Sequence, residues 1–416
     1  MILHKSVTYE KEYMDTMDRL AQENGHLRSF RYFLNQAGSW CSEENRKKKR
    51  PKVVVLGPGI PEELIWAAGA TPYWILGGSL ASCVWSDEMV PRDTDPVSRS
   101  LLGYLHQPTG VDFSDALFIV PVSCDSMRKI ANLLYEDGRK VFVVDIPPQR
   151  LDPYAEEKWK EQMIKMTEAV SKHVRGRVSV KSLKEAAKKI LLARRLLKNF
   201  LDVSCECRDV ISGTGKIFVQ NSYYYVENLE EWSIAMRNLT EELKIRECAD
   251  ESNVRPQILL MGSPIYFPNY KIPFLIQEAG LSIAATADVT SMKIYDMPSL
   301  RRIKFDREAW IGEIASAWYR NDGSPAYAKN EVLYRHVCQL LEEQRTDGVI
   351  YCVLKGQIEY DFELERFEQM FESQGMAVFR LETDYQYQDV EQLRIRIEAF
   401  SEMLTQKCLE EEKRIP

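Results

Sequence analysis

Short runs of β-branched and apolar residues alternate with helical segments twice along this chain, and that alternation constrains the fold more than any other feature. In the first series KVVVLG (52–57) empties into GPGI. The next segment, PEELIWAAG (61–69), has the marks of a helix, with proline at its first position and Gly69 at the C-terminal cap. TPYWILGG (71–78) reads as a second strand. After a long loop containing VPRDTDPVSRSLLGYLH (90–106), the pattern resumes with strand ALFIVPV, helix SMRKIANLLYEDG and strand KVFVVDIPP. Strands separated by helices imply right-handed crossovers and a parallel sheet.

The second series starts at QILLMGSP (257–264). It continues through helix KIPFLIQEAG, strand LSIAATAD, helices around 306–320 and 325–344, strand GVIYCVLKG, helix FELERFEQMFESQG, strand MAVFRLETD and a final helix from Val390. VVVLGPG corresponds in role to ILLMGSP, FIVPVSC to YCVLKGQ, and KVFVVDIPP to AVFRLETDY, a repeat of architecture with few identities. Between the series the chain is mostly helical. KSLKEAAKKILLARRLLKNFL places apolar residues at helical spacing and contains no Gly or Pro. The expected organisation is an N-terminal helical segment over 1–50, a first α/β domain over 51–153, a helical connection over 154–251 and a second α/β domain over 252–416.

At 416 residues the chain is too long for one ordinary core, and 45% hydrophobic with 28% charged residues supplies sizeable cores without a case for global disorder. A net charge of −7 argues against nucleic acid as a general partner. The basic run ENRKKKRP is read as a solvated linker, since glutamates precede it and a buried strand follows. No apolar run reaches the length of a membrane span, and MILHKSVTYEKEY lacks the order of a signal peptide, so no membrane association and a cytoplasmic location are expected. Nine cysteines lie scattered, without the spacing of a zinc site or a disulfide scaffold, and are read as reduced thiols. The close pair Cys205 and Cys207 is C-x-C, which does not by itself define a metal site.

In open parallel sheets ligands bind beyond the carboxyl ends of the strands. That rule selects the turns Gly57-Pro58-Gly59, Val122 to Asp125, Asp288 to Ser291 and Lys355 to Ile358, together with the loop around Asp95. The first is not a dinucleotide fingerprint, because its prolines remove backbone donors that a pyrophosphate would use. Glu62 and Glu63 fall in the first helical turn, where the helix dipole favours carboxylates and capping explains them. Glu63, at the expected rim of the crevice, is also a candidate for substrate contact or acid–base work. Cys124 stands at a helix start, where peptide dipoles lower a thiol's pKa and make it a nucleophile or metal ligand. The competing reading has Ser123 or Asp125 capping the helix and Cys124 packing as a small hydrophobe. Between Lys172 and Lys198 ten Lys or Arg residues face one acid, Glu185, which suits either phosphate groups or an acidic partner, or forms a solvated helix face.

GIPEELIWAAGATPYWILGG, VPVSCDSMRKIANLL, ILLMGSPIYFP and ETDYQYQDVEQLRIRIEAFSEML together resemble the 2-hydroxyacyl-CoA dehydratase and benzoyl-CoA reductase family, in the manner of its 2-hydroxyglutaryl-CoA dehydratase D-component subunits. The resemblance runs from about residue 50 to 405. It implies two Rossmann-like α/β domains and a heterodimer with a related subunit. It also implies a 4Fe–4S cluster held by cysteines at the strand-end turns, and an ATP-dependent activator protein that injects an electron. Its chemistry, in anaerobic metabolism, is radical elimination of water from a 2-hydroxyacyl-CoA thioester. The family's S-C-D cysteine is present as Cys124. The other ligand positions fall at Asp95, Thr290 and Gln357, which lack the soft sulfur that iron favours.

The resemblance therefore implies a dehydratase-type subunit, a lyase or related acyl-CoA reductase component, that acts as the cluster-free partner of a cysteine-bearing sister. Cys124 is left as the one matching cluster-ligand position, unless Cys83 or Cys352 joins it. The alternatives are a non-catalytic acyl-CoA-binding or regulatory homologue, and a thiol enzyme that uses Cys124 as nucleophile.

Overall fold

The computed structural model describes residues 8–207, 210–246, 255–291 and 306–412; Cys248 and the end of the expected helical connection at Glu251 lie outside them. Among the described residues eight strands form two four-stranded parallel sheets. The first contains β1 (Val53–Leu56), β2 (Pro72–Ile75), β3 (Leu117–Val122) and β4 (Lys140–Asp145), and the second contains β5 (Gln257–Gly262), β6 (Ser282–Ala287), β7 (Gly348–Leu354) and β8 (Ala377–Thr383). Their orders, β2-β1-β3-β4 and β6-β5-β7-β8, are the same topology used twice. The strand equivalences drawn from sequence, β1 with β5, β3 with β7 and β4 with β8, occupy matching places in the two sheets.

Burial follows from this layering. β1, β3, β5 and β7 are buried along their whole length, because each lies inside its sheet with helices over both faces, which is why they read as continuous apolar runs. β4 and β8 are outer strands and stay partly exposed. They carry Lys140, Asp145, Arg380 and Glu382, charges that discourage edge-to-edge pairing.

Helices Tyr9–Asn24 and Phe30–Cys41 pack their aromatic face into the main core through Tyr13, Phe30, Phe33 and Trp40. The long helix Val180–Glu206 buries Leu183, Ile190, Leu197 and Phe200. Helix Gly213–Ser222 is buried throughout and runs into Tyr223–Tyr225, packing against β6 on one side and β2 on the other. It ties the two sheets into one core. A smaller cluster, with Leu259, Tyr351 and Phe367, fills the far side of the second sheet.

One expectation is corrected. The segment read as a long loop holds helices Leu80–Cys83 and Pro96–His106. Proline occupies the first turn of the second, and the Asp95 carboxylate caps it by accepting the Ser98 N–H at 2.9 Å. Gly103 lies inside this helix because a Cβ there would sit 1.8 Å from the Ser82 carbonyl oxygen, so the glycine marks a close helix contact rather than a break.

Candidate functional site

The carboxyl ends of β1, β3 and β4 in one sheet and of β5, β6 and β7 in the other open on one cavity of about 70 Å³. All five turns selected from the sequence reach its wall, through Gly57–Gly59, Asp95, Ser123 and Cys124, Val289, and Gln357. Three helices begin there. Asp95, Cys124 and Gln357 are the N-cap residues of Pro96–His106, Asp125–Glu136 and Ile358–Ser373. Gly356, at φ 85°, holds its turn against the neighbouring loop: a Cβ would meet the Asp93 carbonyl oxygen at 3.0 Å and the Asp95 nitrogen at 3.1 Å.

Each cap residue is occupied differently. Asp95 is 3% exposed, and its Oδ1 accepts both the Ser98 N–H and the Gln357 Nε2–H, the latter at 3.4 Å. Since a carboxylate only accepts, this contact fixes which end of the Gln357 amide is nitrogen. Gln357 Oε1 then points elsewhere, buried and without a hydrogen-bond donor among the described residues. Cys124 makes no side-chain capping bond. Burial pushes its thiol up to about 12, with the Asp95 charge adding, against the N–H groups of Met127 and Ser126. Desolvation thus outweighs the helix dipole, which favours the packing reading of Cys124 over the activated thiolate.

The fourth position is turned away. Thr290 does not line the cavity; its hydroxyl donates to Asp288 Oδ1 at 2.6 Å and accepts from Gln220 Nε2 at 3.0 Å, while Val289 takes the place on the wall. Cys83 and Cys352 do not join Cys124 either. Cys83 donates to the carbonyl oxygens of Ser79 and Pro96, and Cys352 is enclosed within β7. Among the described residues no group of three His, Cys, Asp or Glu side chains is placed to hold a metal ion. One thiol, one capping carboxylate and one amide do not fit a 4Fe–4S cluster, which takes its ligands from thiolates.

Glu359, two residues beyond Gln357, is a wall residue that the strand-end rule stopped just short of. Burial raises its carboxyl to about 7, opposed by its own backbone N–H and reinforced by Asp95 and Asp125. Tyr266 and Tyr360 supply aromatic wall from the β5 and β7 sides, and nothing local in the sequence distinguishes them from other core tyrosines.

Glu63 lies outside this wall. It is 2% exposed, and its carboxylate meets Arg194 Nη1 at 3.2 Å. Glu62 accepts from Arg194 Nη2 at 2.6 Å and from the Tyr223 hydroxyl at 2.7 Å. Neither residue is a solvated dipole cap; both belong to a buried charge cluster that holds the start of helix Glu63–Ala67 against the long helix. Arg194 is therefore the cation of the basic stretch that turns inward, and the rest of that stretch is wholly or partly exposed. Cys205 and Cys207 donate to separate carbonyl oxygens, of Ala284 and Leu243.

The model of the 2-hydroxyglutaryl-CoA dehydratase D-component family matches residues 59–404. The chain is 24% identical to the putative dehydratase subunit YjiM of Escherichia coli (strain K12) over 358 residues, which cover 83% of this chain and 89% of the relative. It is 21% identical to the (R)-phenyllactyl-CoA dehydratase beta subunit of Clostridium sporogenes over 350 residues, again 83% and 89%. Both relatives are named as subunits. Among the described residues no helix is long and apolar enough to cross a membrane.

Proposed function

The chain belongs to the 2-hydroxyglutaryl-CoA dehydratase D-component family, and from that membership we propose that it is the subunit of a radical, water-eliminating 2-hydroxyacyl-CoA dehydratase complex that carries no ordinary 4Fe–4S cluster. The observation that carries the proposal is the convergence of Asp95, Cys124 and Gln357 on one small cavity at the strand ends, with Thr290 beside it, and with a single thiol among them. On this reading the chain completes or shapes an acyl-CoA site while redox chemistry belongs to a related, cysteine-bearing subunit served by an ATP-dependent activator. The name of the Clostridium relative, a beta subunit of an acyl-CoA dehydratase, supports both the thioester and the partner.

Anaerobic co-purification with a cysteine-bearing sister subunit, followed by iron and acid-labile sulfide assay of each separated chain, tests this. The expected result is a stable complex with cluster iron confined to the sister. Near-stoichiometric iron and sulfide in this chain would overturn it.

A further inference from the structure

Gln357 is 8% exposed and lines the cavity, yet its Oε1 receives no hydrogen bond from the described residues. A buried acceptor left in that state costs about 1 to 3 kcal/mol, which a ligand that donates would recover. The charges around it restrict what that ligand is. Asp95 and Glu359 on the wall disfavour an anion. Three helix N-termini aimed at the same space, each with partial positive character, disfavour a cation. A neutral O–H group satisfies both limits. The volume, about 70 Å³, admits only a few non-hydrogen atoms.

We propose that Gln357 is a specificity-determining residue whose Oε1 accepts a hydrogen bond from the 2-hydroxyl of a short-chain 2-hydroxyacyl thioester, the acyl end entering the cavity and the CoA remaining outside. This rests on the acyl-CoA reading above and adds to it the chain length and the residue that reads the hydroxyl. The cap contact to Asp95 makes the arrangement selective: it holds the amide so that only an acceptor faces the ligand.

Calorimetric titration of the full chain with lactyl-CoA, propionyl-CoA and 3-hydroxypropionyl-CoA separates the possibilities, since the three differ only in the presence or position of one hydroxyl. The expected result is that lactyl-CoA binds about tenfold more tightly than either of the others, the difference made by one buried hydrogen bond. In Gln357→Met, which keeps the length of the side chain and removes the acceptor, the ratio of lactyl-CoA to propionyl-CoA affinity falls to about one. Equal binding of the three thioesters by the wild-type chain, or a lactyl-CoA preference that survives in Gln357→Met, overturns the proposal while leaving the acyl-CoA reading standing. Failure of all three to bind either the chain alone or its complex with the sister subunit removes both. The comparison among thioesters needs no variant, so it stands even if Gln357→Met does not fold.

Discussion

Glu359 offers a direct physical test of the cavity. Its carboxyl is raised from an ordinary 4.5 to about 7, first by burial and then by Asp95 and Asp125. Between those two values the folded protein holds a proton that the unfolded chain has released. Stability is therefore fully present below about pH 4.5 and is lost as the pH rises toward and through 7. A tenfold difference in proton affinity between the folded and unfolded chain corresponds to about 1.4 kcal/mol, so with some allowance for the open side of the cavity the loss is about 2 to 3 kcal/mol by pH 8.

Glu359→Gln keeps the shape and a neutral hydrogen-bonding group and cannot ionise. Urea denaturation of the wild type and the variant at pH 5 and pH 8, with tryptophan fluorescence as the signal, isolates this residue, because every other titrating group contributes equally to both proteins. The variant is expected to gain on the wild type by about 2 kcal/mol between the two pH values. A difference between the proteins that stays constant within about 0.5 kcal/mol across that range would refute the claim that this carboxyl sits desolvated among like charges.

Three further outcomes follow from the same geometry. Arg194→Met removes the guanidinium shared by two buried carboxylates and is expected to cost about 3 to 5 kcal/mol in urea denaturation, whereas Arg194→Met combined with Glu62→Gln and Glu63→Gln recovers most of that loss; a triple variant no more stable than the single one would count against a buried charge cluster. Cys124, its thiol pushed up to about 12, is expected to react with iodoacetamide at pH 7.5 at less than about a tenth of the rate of free cysteine, followed by site-resolved mass spectrometry, and a rate equal to or above that of free cysteine would restore the activated-thiolate reading. Asp95→Ala loses the helix cap and about 1 kcal/mol in thermal or urea melts, while Asp95→Asn, which can still accept from Ser98, loses less; equal losses would show that the cap bond is not what Asp95 contributes.

The inner strands of both sheets were legible in the sequence because a strand buried on two faces reads as a nearly continuous apolar run. The same rule that places ligands at strand ends found the cavity wall, since it depends on topology alone. What escaped was set by contacts distant in sequence. Helix Pro96–His106 looked like loop because Pro96 and Gly103 are ordinary breakers, and only the Ser82 carbonyl packed against Gly103 shows why a glycine belongs inside it. Glu62 and Glu63 looked like dipole caps because their partner Arg194 comes from another helix far along the chain. Cys124 could be read as activated or as packed because only its helix start is visible in sequence, whereas the burial and the nearby Asp95 that raise its pKa are not.

The positions at which the resemblance puts cluster ligands are helix N-caps or tight turns, and the hydrogen bonds at each show what holds it. An N-cap rewards a side chain that accepts a backbone N–H, and aspartate ranks among the best of these. At position 95 a carboxylate does this by taking the Ser98 N–H, and in the Asp288 turn the N–H groups of Thr290 and Ser291 both go to Asp288 Oδ1. These turns are closed by the protein's own hydrogen bonds. The turns at Asp95 and Asp288 are thus held by bonds that do not depend on iron. Cys124 and Gln357 contribute no side-chain capping bond, and Gln357 in addition leaves an acceptor buried. A position that stabilises the helix so little, in a wall otherwise closed on itself, is where a ligand has the most to add.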